Sequence, residues 1–117
     1  MIDYYRNGEK LIMNKVFLNG NLCKEPELHY TTTGKAICQV SIAVRATEDR
    51  SDFILLKAWT KTAELLCQYC SKGDKITVEG RITSEKYQKD GKDAYITYVT
   101  VEKLAFGFKP KGEKNEN

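Results

Sequence analysis

From Ala36 to Arg45 the chain alternates with a period of two. Ala36, Cys38, Val40, Ile42 and Val44 fall on one side, and Gln39, Ser41 and Arg45 on the other. Successive side chains of a strand point to opposite faces, so this pattern predicts a strand with one face in a core and one in solvent. A strand of that length needs partners, and its neighbours in sequence supply them. Val16, Leu18 and Leu22 predict a first strand, interrupted at Gly20, where a bulge is expected. Pro26 stops it, and Thr31 to Lys35 reads as a turn before the second strand.

The third strand, Phe53 to Thr60, has an unusual outer face. Ile54, Leu56 and Ala58 point one way, while Phe53, Leu55, Lys57 and Trp59 point the other. Strands ordinarily hide their aromatics, yet here two share a face with a lysine. The polar stretch Thr47 to Asp52 joins it to the second strand as a hairpin loop. Lys61 to Cys70 changes period: Ala63, Leu66, Cys67 and Cys70 recur as on one side of a helix, with Gly73 expected as its stop. A fourth strand follows from Lys75 to Tyr87. Asp90-Gly91 is a two-residue hairpin signal, and Ala94 to Phe106 is the fifth strand.

Three strands, a helix and two strands in 117 residues predict one all-β domain. The arrangement suggests a five-stranded Greek-key OB-fold barrel with one helix between strands 3 and 4. An SH3-like barrel or another small α+β fold has the same pattern. Residues 1–12 read as an N-terminal extension, 13–108 as the domain, and 109–117, charged and containing Pro110 and Gly112, as a short disordered tail.

The net charge of +3 is too small to imply nucleic acid by itself, so any such role needs a local patch. No apolar run approaches the ~20 residues of a membrane span. The N-terminus, with Asp3, Arg6, Glu9 and Lys10, has no apolar core of a secretory signal, so a cytoplasmic location is expected. Cys67 and Cys70 form a C-x-x-C pair, but zinc ordinarily takes four ligands, and Cys23, Cys38 and His29 each stand alone. The four cysteines read as thiols, and no metal or cofactor is expected. No paired carboxylates, Ser-His-Asp set or phosphate-cradling glycine loop points to an enzyme.

Several segments, in order, resemble bacterial single-stranded DNA-binding proteins. They are Asn14-Lys15-Val16-Phe17-Leu18-Asn19-Gly20-Asn21-Leu22 with Glu25-Pro26-Glu27-Leu28-His29-Tyr30, then Asp52-Phe53-Ile54, Ala63-Glu64, Lys72-Gly73 and Val78-Glu79-Gly80-Arg81-Ile82. The resemblance runs from about Met13 to Phe108. It implies an OB-fold subunit, usually of a homotetramer though a dimer is an alternative, that coats single strands with little sequence preference in replication, recombination, repair or uptake.

In that family bases stack on aromatics of the third strand and of the hairpin after the fourth, which correspond here to Phe53, Trp59 and Tyr87. Every base has a π-face, so stacking tolerates any sequence, at about 1–3 kcal/mol per base. Lys15, Arg45, Lys57, Lys61, Arg81, Lys86 and Lys89 are the candidates for phosphate contacts. Taken alone, Trp59 reads first as a core aromatic, and an alternative for Tyr87 is a cross-strand partner of Tyr95. His29 stands where the family often has arginine, and Thr83 and Glu85 where it often has basic residues. Glu48 or Asp49 stands where some members have a further aromatic. These departures predict a weaker or smaller site.

The family members that recruit replication enzymes end in an acidic, hydrophobic tip. Lys109-Pro110-Lys111-Gly112-Glu113-Lys114-Asn115-Glu116-Asn117 does not resemble one, so recruitment is not expected of this chain. The family usually starts near the position of Met13, which makes Met13 a candidate initiator. A module that docks a partner protein through Phe53 and Trp59 is the competing reading, and RNA is a rival ligand.

Overall fold

The structure is a computed structural model that describes residues 5–106. The expected 109–117 tail and the first four residues of the extension lie outside them. The elements are β1 (Tyr5–Arg6), β2 (Glu9–Lys10), β3 (Val16–Leu22), β4 (His29–Tyr30), β5 (Ala36–Arg45), β6 (Ser51–Trp59), α1 (Thr60–Tyr69), β7 (Lys75–Lys89) and β8 (Lys92–Ala105). β5, β6, α1, β7 and β8 fall within a few residues of the sequence expectation.

Five long strands close a barrel. The hydrogen-bonded order is β3-β7-β8-β6-β5, with β4 beyond β5, and β3 pairs with β5 to complete the ring. All pairings are antiparallel except β6 with β8, where Leu56 lies opposite Val99 and Lys57 opposite Thr100. This is the five-stranded OB-type barrel with one helix that the pattern suggested. Alternate residues of β5 (Ala36, Cys38, Val40, Ile42), Leu56 and Ala58 of β6, Ile76 and Val78 of β7, and Val99 and Val101 of β8 fill the interior. Ala63, Leu66 and Cys70 bring one face of α1 onto the same core. Of the four thiols, Cys38 and Cys70 are buried and Cys23 and Cys67 half-buried.

Gly20 does not form the expected bulge. β3 keeps continuous register with β7 from Val16 opposite Gly80 to Asn21 opposite Lys75. The glycine instead admits β5: a Cβ there would meet the Ala43 carbonyl oxygen at 2.5 Å. The irregularity lies in the β7–β8 pairing, where Glu79 faces Lys103 and Gly80 faces Val101, so that Glu102 of β8 is the extra residue. Nor does Gly73 cap the helix. Cys70 does so in extended conformation, its N–H donating to the Leu66 carbonyl at 3.1 Å. Gly73 sits in the following turn, where its N–H reaches the Leu22 carbonyl.

Two hairpins use the same turn chemistry. Asp90 and Gly91, with φ of 53° and 77°, reverse β7 into β8, as the sequence predicts. Asn7 and Gly8, with φ of 53° and 80°, do the same between β1 and β2. That pair forms a two-stranded sheet of its own, so part of the extension has a fold that its Asn-Gly dipeptide would have announced.

β7 and β8 continue past the barrel as a paired arm, with Ile82 to Lys89 facing Val99 to Lys92. The Asn14 side chain braces its root. Its Nδ2 donates to the Ile82 carbonyl at 2.8 Å, and its Oδ1 accepts from the Ile82 N–H at 3.0 Å.

At the β6–α1 junction Thr60 has φ of 51°. The left-handed region crowds Cβ against the carbonyl and is a marked outlier for a β-branched residue. Thr60→Gly is therefore expected to raise stability by about 0.5–1 kcal/mol, relief of the crowding outweighing glycine's greater entropy loss. Urea denaturation at unchanged slope checks it.

Candidate nucleic-acid interface

The register sorts the side chains into faces. In β5 and β6, Ile37 lies opposite Trp59, Gln39 opposite Lys57, Ser41 opposite Leu55 and Ala43 opposite Phe53. Lys57 in turn neighbours Thr100, and Thr100 lies opposite Arg81. One row, Gln39, Lys57, Thr100 and Arg81, thus crosses four strands on the outside of the barrel. By alternation Thr83, Glu85, Tyr87 and Lys89 continue this face along β7, opposite Tyr98, Ile96, Ala94 and Lys92 of β8. Arg81 to Tyr87 spans roughly 20 Å, as does Phe53 to Trp59.

Of the candidate residues, Phe53, Trp59, Tyr87, Arg45, Lys57, Arg81 and Lys89 come together on this surface. Phe53 is 71% exposed near the start of a regular strand. Nothing in the core calls for it, because Ile54 and Leu56 already serve the interior of β6. Trp59 is half-buried beside Ile37, at the point where β6 turns into α1. Tyr87 is 46% exposed on the arm, opposite Ala94 rather than Tyr95. Tyr95 faces Lys86 instead, on the other side of the arm.

Three candidates lie elsewhere. Lys86 shares the Tyr95 side and reaches Asp93 at 3.8 Å. Lys61 is exposed in the first turn of α1. Lys15 sits between two carboxylates, Glu102 at 2.7 Å and Glu79 at 3.3 Å.

Carboxylates also hold two cations of the central row. Lys57 Nζ donates to Glu85 Oε1 at 2.8 Å and lies 4.2 Å from the centre of the Tyr98 ring, a cation–π distance. Arg81 Nε is 3.7 Å from Glu102. The Thr83 and Thr100 hydroxyls meet at 2.6 Å beside them.

Titration follows these contacts. The hydrogen bond from Lys57, with a second from Tyr98, holds the Glu85 carboxyl below its ordinary value of 4.5. The hydrogen bond from Lys15 does the same for Glu102. Burial, with the hydrogen bond to Glu85 next, pushes the Tyr98 phenol up. Hydrogen bonds to Glu102 and Glu79 raise Lys15 above 10.5.

A carboxyl depressed in the folded state adds stability above its unfolded value, and this is lost as pH falls through the folded one. A raised lysine adds stability below its unfolded value and loses it as pH rises through the folded one. Stability is therefore expected to decline below pH 4.5 and above pH 10.5. The groups are exposed and screened, so each contribution is small. Thermal melts of wild type and Glu102→Gln check the acid limb, which should be shallower in the variant.

Tyr98 carries no visible role in the sequence, because its place beneath Lys57 depends on the parallel β6–β8 contact. Pattern within a strand gives each residue's parity but not which distant strand lies alongside. A second feature, a shallow cavity of about 240 Å³ lined by Lys24, Glu27, His29, Ile37 and Gln39, flanks Trp59 through Ile37. His29 there is exposed, 3.5 Å from Glu27.

Comparison with known proteins agrees with the fold. Residues 13–107 match the single-strand binding protein family. Single-stranded DNA-binding protein B of Bacillus subtilis (strain 168) is 35% identical over 102 residues, covering 81% of this chain and 90% of that protein. Single-stranded DNA-binding protein 2 of Clostridium acetobutylicum is 41% identical over 101 residues, covering 80% and 76%. Among solved structures, a deletion mutant of the single-stranded DNA binding protein from Thermus aquaticus superposes with a TM-score of 0.68 at 30% identity. That match covers 91% of this chain and 45% of that one. With the barrel and the sequence match in agreement, the chain belongs to the single-strand binding protein family.

Proposed function

We propose that this protein binds and coats single-stranded DNA with little sequence preference, the strand lying across the outer face of β5, β6, β7 and β8. The observation that carries this reading is the surface of Phe53. It is 71% exposed, shares a face with Trp59 and Tyr87, and is flanked by Arg45 beyond Ala43. Stacking on these rings needs no base identity, and the cations of the face and of α1 meet phosphates. Coating opposes hairpins, reannealing and nucleases, and it serves replication, recombination, repair or uptake without consuming a nucleotide. As a DNA-binding protein it meets the DNA of the cytoplasm and nucleoid.

Residues 13–108 act as the binding domain, in a homotetramer. The outer surface of β3 and the start of β7, next to the DNA face, supports assembly. Phe17 is 70% exposed there, beside a groove of about 180 Å³ that Thr77, Glu79, Lys103 and Leu104 help to line. Val16 to Asn19 pair with β7 only, which leaves a strand edge open to a second copy. Light scattering should read four times the 13.4 kDa of one chain.

Filter binding with oligo(dT), oligo(U) and duplex DNA at low and high salt tests the ligand. Retention of oligo(dT) that weakens with salt, with duplex inert, is expected. Retention of oligo(U) alone would redirect the reading to RNA, and retention of neither to a protein-docking face.

A further inference from the structure

We propose that Glu85 limits how strongly this face holds single-stranded DNA, because in the free protein its carboxylate already occupies Lys57. The inference rests on the single-strand reading. Lys57 lies at the centre of the face, on the row from Gln39 to Arg81 and between Leu55 and Trp59 along β6. Its side chain is only 13% exposed, with the ammonium on the Tyr98 ring and bonded to Glu85 at 2.8 Å. An ammonium offers donors and no acceptor, so a carboxylate and a phosphate oxygen compete for the same positions on it.

Glu85 is not loosely placed. It is held by Lys57 from β6, whose ammonium is itself fixed against the Tyr98 ring of β8. A phosphate reaching Lys57 must displace this carboxylate or lie next to it, and the repulsion offsets the attraction. The next cation of the row is shared in the same way, Arg81 with Glu102. Among the described residues, Arg45 and Lys89, at the margins of the face, hold no ion pair, and neither does Lys61 on α1. The central cations are therefore already matched in the free protein, and phosphates are met first by the unpaired cations at and beyond the rim.

Glu85→Gln removes the charge and keeps the size. Its affinity for oligo(dT) at low salt should rise about 2- to 5-fold over wild type, the scale of one exposed ion pair. The slope of log K against log salt should steepen by about 0.7, one phosphate contact on a single strand. Glu64→Gln, which makes the same change in net charge on the exposed side of α1, should give neither effect. The Lys57→Gln/Glu85→Gln double variant should lose the gain, with melting temperatures read for every variant. Wild type binding with Glu85→Gln no tighter than Glu64→Gln would overturn the inference alone. So would a gain that survives the loss of Lys57. Failure of wild type itself to bind would overturn the single-strand reading, and the inference with it.

Discussion

Gly80→Ala is expected to destabilise the fold by about 3 kcal/mol, the upper end of what overpacking ordinarily costs. A Cβ at Gly80 would lie 2.1 Å from the Thr100 carbonyl oxygen and 3.0 Å from a Val99 methyl. The first of these is backbone, fixed in the β7–β8 ladder and next to the parallel contact that ties β8 to β6. No rotamer change relieves it, so the strands must part. Gly80 follows the irregularity where β7 passes from the barrel wall, paired on both sides, into the arm. Opening that point disturbs the barrel and the row that carries Lys57 and Arg81 together. Urea denaturation should show the loss as a lower midpoint at unchanged slope. A midpoint shifted by less than a third of that amount would mean β7 and β8 are not so close there.

Phe53→Ala is expected to weaken oligo(dT) binding about tenfold, equivalent to ~1.4 kcal/mol and within the range for one base stacked on one ring. Stability should hardly change, because the ring is 71% exposed and absent from the core. That separation makes Phe53 the cleaner test of stacking than Trp59, which is half-buried at the start of α1, so that its removal affects packing as well. The salt dependence should stay unchanged, since a phenyl ring releases no counterions. Equal affinity in variant and wild type would remove Phe53 from the interface. A steep loss of melting temperature would show that the ring supports the fold.

These two residues also show what the sequence made legible. Phe53 was visible as an aromatic out of place on a strand whose other side already filled a core, because parity is a local property. The alternation in β5 and the Asp90-Gly91 turn were legible for the same reason. Gly80 was not: its crowding arises from Thr100, a strand away, and no pattern within β7 points to it. The same limit explains Gly20. A glycine inside a strand signals either a bulge or a close backbone approach, and only the crossing of β3 by β5 decides for the latter. Lys57 is the most instructive case. Its face was legible, but its partners were not. Glu85 and Tyr98 come from β7 and β8, and they turn a lysine on an aromatic face into one whose charge is already matched.

The most direct test of a strand lying on this face is the fluorescence of Trp59, the single tryptophan of the chain, during titration with oligo(dT) at low and high salt. Stacking of a base on the indole should quench it strongly, with a midpoint that moves to higher DNA concentration as salt is added. Binding that leaves the emission unchanged, or no binding at either salt, would contradict the account.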